Sequence, residues 1–168
     1  NREGTYYFAN YDIQTDNVEQ TGLSVNYLAG YFYSHFKGKK ALLMGDCCYS
    51  GSLKIVSEKL SARGILSVTL TSSDANNTST SNWTFTQSII DSLSGNPLAD
   101  RNRDGVITFA EMVEEAKDAM RFRERQRYGF YSHQFPQNIV MAIPRQRENA
   151  RIDLRQYRTG QYIEGLYQ

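Results

Sequence analysis

The sequence predicts an α/β fold, a mainly parallel sheet covered by helices on both faces. Three observations point there. Short apolar runs of strand length alternate with longer segments whose apolar residues recur every three or four positions. The run at 41–45 (Ala-Leu-Leu-Met-Gly) is continuously apolar, as expected of a strand buried on both faces. The 168 residues are 40% hydrophobic, enough for one domain with a sizeable core and too apolar for a disordered or collagen-like chain.

The elements follow in order. Residues 5–9 (Thr-Tyr-Tyr-Phe-Ala) are aromatic and β-prone and read as a short strand ending at Asn10. A polar loop runs to Thr21. Ser24 caps a helix to Phe36 that places Leu28, Tyr31, Phe32 and Phe36 on one face, and Gly38 closes it. After the strand at 41–45, Leu53, Val56 and Leu60 return at helical spacing. Residues 64–70 (Gly-Ile-Leu-Ser-Val-Thr-Leu) are the next strand, and 72–82 a polar loop. Phe85, Ile89 and Leu93 mark a helix that Gly95 and Pro97 end. Thr108 and Glu111 form a capping box opening a helix with Phe109, Met112, Val113, Ala116 and Met120 inside. The last strand is expected at 137–143, stopped by Pro144. Residues 1–144 thus read as one domain and 145–168 as an Arg-rich C-terminal extension.

Charge and composition exclude several functions. With 19 basic and 18 acidic residues the net charge is +1, which argues against nucleic acid as a partner. From Arg121 onward nine arginines face four acidic residues, a local excess read as a solvated basic face. No apolar run reaches the roughly 18 residues of a membrane span, so no membrane role is expected. The only cysteines, Cys47 and Cys48, are neighbours, a spacing that strains a disulfide. The chain is therefore expected either to come from a reducing compartment or never to have needed a disulfide, and a cytoplasmic location is the expectation.

In such sheets chemistry collects beyond the carboxyl ends of the strands. Cys48 lies there, in the turn from the strand at 41–45 to the next helix, near the N–H groups and positive end that suit a nucleophilic thiol. The stretch 41–52 (Ala-Leu-Leu-Met-Gly-Asp-Cys-Cys-Tyr-Ser-Gly-Ser) resembles the active-site cysteine segment of caspase-like peptidases, metacaspases and their bacterial relatives above all. That pattern is an apolar strand, Asp, any residue, Cys, any residue, Ser, Gly. It makes Cys48 the nucleophile and Cys47 a small filler. Residues 4–12, 83–93 and 99–108 look similar to further segments of that family, so the resemblance spans about 4–143. It implies a caspase-like three-layer αβα sandwich, seen without its first strands, and a cysteine endopeptidase needing no cofactor for its chemistry.

One departure stands out. The family carries His-Gly at the end of the strand before the cysteine strand, and no His-Gly occurs here. Either that histidine lies in a segment before Asn1, or 10–12 (Asn-Tyr-Asp) replaces its loop and the chain is an inactive binding module. His35 belongs to the wrong edge of the sheet. His133, before the last strand, is expected on the active-site edge if that strand is antiparallel.

Asp46 precedes Cys48 by two positions, so both can border one cavity. By resemblance it lines a pocket for Arg or Lys before the cleaved bond, with Asp74 as a second wall and a protein or peptide as substrate. The plainer role for Asp46 is to accept N–H groups of a turn. Asp100, Asn102, Asp104, the Val106 carbonyl and Glu111 follow the spacing of a calcium loop, pointing to a structural Ca2+. The same Asp and Asn residues also build tight turns unaided.

Overall fold

The computed structural model describes residues 5–145. The chain runs β1 (Tyr7–Phe8), α1 (Val18–Thr21), β2 (Leu23–Ser24), α2 (Val25–His35), β3 (Lys40–Gly45), a 3-10 turn (Ser50–Leu53), α3 (Lys54–Ser61), β4 (Leu66–Thr71), α4 (Thr84–Leu93), β5 (Ile107–Thr108), α5 (Phe109–Asp118), a π-turn (Ala119–Arg123), β6 (Gly129–His133) and β7 (Val140–Ala142). The fold is mixed α/β.

The central sheet has the order β3-β4-β6. β3 and β4 are parallel, from Lys40 opposite Leu66 to Gly45 opposite Thr71. β6 runs antiparallel to β4, with Gly129 opposite Thr71 and His133 opposite Ser67. β1 pairs with β2, and β5 with β7, in two small antiparallel ladders. The expected mainly parallel sheet is therefore corrected: its orientation is mixed. The strand expected at 137–143 is β7, which leaves the central sheet and pairs with β5 beside α5. Its place beside β4 goes to β6. A Gly-Phe-Tyr-Ser-His segment behind an Arg run carries no alternation that marks it as a sheet strand.

Side-chain alternation sorts the helices onto the two faces of this sheet. Leu42, Val68 and Leu70 meet Phe85 and Ile89 of α4 and Phe109, Met112, Val113 and Ala116 of α5. Ala41 and Leu43 meet Val25 and Ala29 of α2 and Leu53, Val56 and Leu60 around α3. Hydroxyls stitch α3 to β4: Ser57 Oγ and Thr69 Oγ1 are 2.8 Å apart, and Ser67 Oγ donates to the Ser57 carbonyl at 3.0 Å. Helices thus lie on both faces.

Local signals hold where they act over a few residues. The Ser24 hydroxyl accepts from Tyr27 N–H at 3.0 Å as the cap of α2. Both halves of the Thr108–Glu111 capping box form. Three expectations of burial change, and the first is Leu93, which ends the apolar repeat of α4 and is exposed. Tyr31 is turned outward, 52% exposed, and stacks between Tyr27 and His35. Met44 of β3 is 43% exposed, because among the described residues β3 has a strand on one side only. The 145–168 extension lies outside the described residues except Arg145, whose N–H donates to the Gly95 carbonyl.

No helix among the described residues is long and apolar enough to cross a membrane.

Candidate active site

Three chain segments meet at the carboxyl edge of β3 and β4. They are the turn 46–51, the loop 72–83 and residues 124–129, where the chain enters β6. Tyr49 reverses the first with a left-handed backbone, φ 58. A single buried hydroxyl then holds the turn. Ser73 Oγ donates to the Cys47 carbonyl at 2.8 Å and accepts from Ser50 N–H at 3.1 Å. With its one hydrogen committed, it must also accept from Ser50 Oγ, 3.1 Å away. The Ser-Gly pair of the turn is thus explained physically. Ser50 ties to the end of β4, and Gly51 leaves room for the loop, since a Cβ there would lie 2.6 Å from Ala75 N and from the Asp74 carbonyl carbon.

Cys48 is exposed. Its Sγ accepts from Ser79 N–H at 3.4 Å and lies 3.9 Å from the Ser79 carbonyl. This replaces the expected arrangement, in which N–H groups opening the next helix face the thiol. Those groups are used elsewhere: Tyr49 N–H donates to the Asn77 carbonyl at 3.0 Å, and Ser50 N–H to Ser73 Oγ and the Cys47 carbonyl. The donor that reaches the sulfur comes from the 72–83 loop. Cys47 differs chemically. Burial pushes its thiol up, and the charges of Cys48 and Asp46 push it further the same way.

Asp46 reaches across to α4. Its Oδ2 accepts from Thr86 Oγ1 at 2.6 Å and from Thr86 N–H at 3.3 Å, so it caps the helix from 40 positions away. It also lines a pocket of about 210 Å³ with Thr80, Ser81 and Trp83. Cys48 is not part of that lining, but Ser79, which holds its sulfur, directly precedes Thr80. Asp74 does not form a second wall there. It faces a separate cavity of about 240 Å³ with Gly51, Lys54 and Tyr128, and pairs with Arg127 at 3.4 Å. The reason is its own turn: Asp74 Oδ1 accepts from Asn76 N–H at 2.6 Å, and Asp74 N–H donates to the Asn77 side chain.

Neither histidine reaches Cys48. His35 ends α2, its ring against Tyr31 and its Nδ1 at 3.0 Å from the Tyr31 carbonyl. His133 is corrected more sharply. It lies inside β6, opposite Ser67, and Ser67 belongs to the start of β4. The cysteine turn follows Gly45, which lies opposite Thr71 at the other end of β4. Antiparallel direction does bring one end of β6 to the active edge, but that end is Gly129.

Sequence reasoning missed several residues that build the site. Gln126 donates to the Ser72 carbonyl at 2.5 Å and accepts from Thr80 N–H at 2.9 Å, pinning both ends of the loop that carries Ser79. Glu124 accepts from Asn82 at 3.1 Å and from the Thr84 hydroxyl, and these contacts, Thr84 foremost, hold its carboxyl below the usual range. Both lie within the Arg-rich run, whose charge masks them. The one available signal is polarity change: Glu124 and Gln126 interrupt Arg121, Arg123, Arg125 and Arg127 at every second position.

The 100–111 loop is held by its own hydrogen bonds. Asp100 accepts from Asp104 and Gly105 N–H, Asn102 from Asp104 N–H, and Asp104 from Val106 N–H. Burial pushes the Glu111 carboxyl up, yet bonds from Thr108, Asn102 and Arg101 outweigh it and keep it low. Among the described residues no three His, Cys, Asp or Glu side chains converge as a metal would gather them. The calcium expectation rests on the spacing alone.

Comparison of the chain with protein-family models, curated proteins and solved structures finds no match.

Proposed function

We propose that Cys48 is the nucleophile of a caspase-like cysteine endopeptidase that cleaves after Arg or Lys. One observation carries the reading: an exposed cysteine, in a turn locked by Ser73, at the carboxyl edge of a parallel strand pair and next along the loop from an acidic pocket. The parallel β3–β4 pair with antiparallel β6, and helices on both faces, are compatible with the proposed three-layer sandwich.

In the proposed reaction Cys48 Sγ attacks the peptide carbonyl carbon, forming a thioester as the C–N bond breaks and the departing amine takes up a proton. Water then cleaves the thioester and returns the thiol. In the proposal the Cys48 N–H, which has no acceptor among the described residues, donates to the oxyanion. The base is a histidine in a segment before Asn1, since both histidines of the chain, His35 and His133, are remote from Cys48.

A second reading has one observation in its favour, the distance in topology of His35 and His133 from Cys48. On it the chain is a catalytically inactive caspase-like binding module. Peptide substrates separate the two. With the natural protein, peptides carrying Arg or Lys before the reporter bond should be hydrolysed and Asp peptides left intact, because a substrate carboxylate beside Asp46 would be buried unpaired. Hydrolysis of none of them would establish the binding module.

In the same proposal the 100–111 loop is a structural calcium site without a part in the chemistry. Calcium bound only by the native state raises its stability, so millimolar calcium should raise the Tm of the wild type but not of Asp104→Ala. Equal shifts in both proteins would remove the loop from the proposal.

A further inference from the structure

Trp83 is the only tryptophan of the chain, and it is left 71% exposed. Two residues on, Phe85 is buried in the core, so α4 has an apolar place within reach and Trp83 does not use it. Its backbone is left-handed, φ 46, a conformation that disfavours any residue with a Cβ. Its neighbours enforce that conformation. Asn82 and Thr84 both donate to the Glu124 carboxylate, and the Trp83 carbonyl accepts from Gln87 N–H at 2.8 Å in the first turn of α4. Strain held from both sides at an exposed aromatic is a mark of function.

The pocket beside it supplies the other half. At about 210 Å³ it is smaller than the roughly 300–1,000 Å³ sites that take whole small molecules, and suits one side chain. Its charged wall is Asp46, whose Oδ2 is tied to Thr86 while Oδ1 has no donor among the described residues. Among the described residues, Thr80 and Ser81 add small polar groups to the lining. An aromatic face and a carboxylate edge around one side-chain-sized space favour a flat cation. A guanidinium can stack on an indole while its in-plane N–H groups bond to a carboxylate. An ammonium has no flat face and is more strongly hydrated.

We infer that Trp83 is a specificity-determining residue that makes the Asp46 pocket prefer arginine over lysine. This deepens the proposed peptidase and rests on that reading for the pocket's role in catalysis. It does not need hydrolysis for its test.

Because the chain has one tryptophan, its emission reports on this pocket alone. The full chain is titrated with Nα-acetyl-arginine amide, the lysine analogue and the neutral citrulline analogue. A saturable emission change is expected with arginine, with lysine about 3- to 30-fold weaker, in the range of one cation–π contact. Citrulline should leave the emission unchanged. Asp46→Asn, which can still accept from Thr86, should abolish the response to arginine. By calorimetry, Trp83→Leu should weaken arginine binding about 3- to 30-fold and leave lysine binding nearly the same. Equal affinities for arginine and lysine, no binding of either, or a Trp83→Leu chain that keeps the preference would each overturn the inference. A chain that binds arginine through Trp83 yet hydrolyses no peptide would end the peptidase reading and leave Trp83 standing. Cleavage after Arg and Lys at rates that Trp83→Leu does not change would do the reverse.

Discussion

Replacing Cys48 by Ala should reduce hydrolysis of Arg peptides by about 10⁴-fold or more, since removing a nucleophile leaves only the binding and oxyanion contributions. Cys47→Ala should stay within a few-fold of the wild type. Both thiols are exposed, and they differ in surroundings: Ser79 N–H sits on the Cys48 sulfur, whereas partial desolvation, with Cys48 and Asp46 beside it, pushes the Cys47 thiol up. The sign follows directly. A raised thiol holds its proton to higher pH, so iodoacetamide at neutral pH should label Cys48 first, with Cys47 catching up as the pH rises. Peptide mapping of the alkylated chain reads that order. A Cys47→Ala chain as inactive as Cys48→Ala, with Cys47 labelled first, would move the nucleophile by one residue.

The second large effect is on stability. Gly51→Ala should cost about 3 kcal/mol, the upper part of the range for forcing a methyl into filled space, and lower Tm by about 6–12 °C. The new Cβ would stand 2.6 Å from backbone atoms of both Asp74 and Ala75, and no rotamer change can clear backbone. Gly129 crowds the same spot from β6, where a Cβ would meet the Thr71 hydroxyl and, at 3.1 Å, Gly51 Cα. Gly30 is the control. It sits exposed in α2 with nothing within 4 Å of a Cβ, so Gly30→Ala should stabilise by up to about 1 kcal/mol through helix propensity. Thermal unfolding of the three proteins decides the matter. A Gly51→Ala chain that melts with the wild type would show that the 74–75 loop is free to retreat, and that the Ser-Gly turn does not position Cys48.

These residues show how far the candidate site was legible. The turn 46–51 declared itself through composition: an apolar strand, an acid, two cysteines and a Ser-Gly pair within residues 41–51. What holds it did not. Ser73 lies 23 positions from Ser50, Thr86 lies 40 from Asp46 and Gln126 lies 54 from Ser72. Hydroxyls and amides in polar loops look alike in a sequence whether they face water or clasp another segment. Asp74 illustrates the reverse error. It occupies a plausible position after β4, but its turn with Asn76 and Asn77 aims it at a different cavity.

By itself the sequence determined the α/β alternation, the parallel pair around Val68 and Leu70, the Ser24 cap, the Thr108–Glu111 box and the placement of Cys48 in a strand-to-helix turn. Those features depend on interactions within about four residues or on apolar periodicity, and both are written in the order of side chains. Tertiary structure alone decided that β6 and not β7 completes the central sheet, that His133 falls at the far end of β4, and that Asp46 serves α4 as well as the pocket. Each of these is a pairing between segments distant along the chain. Its partner is chosen by how the two faces of the sheet fill, a property of the packed whole that no local stretch of sequence carries.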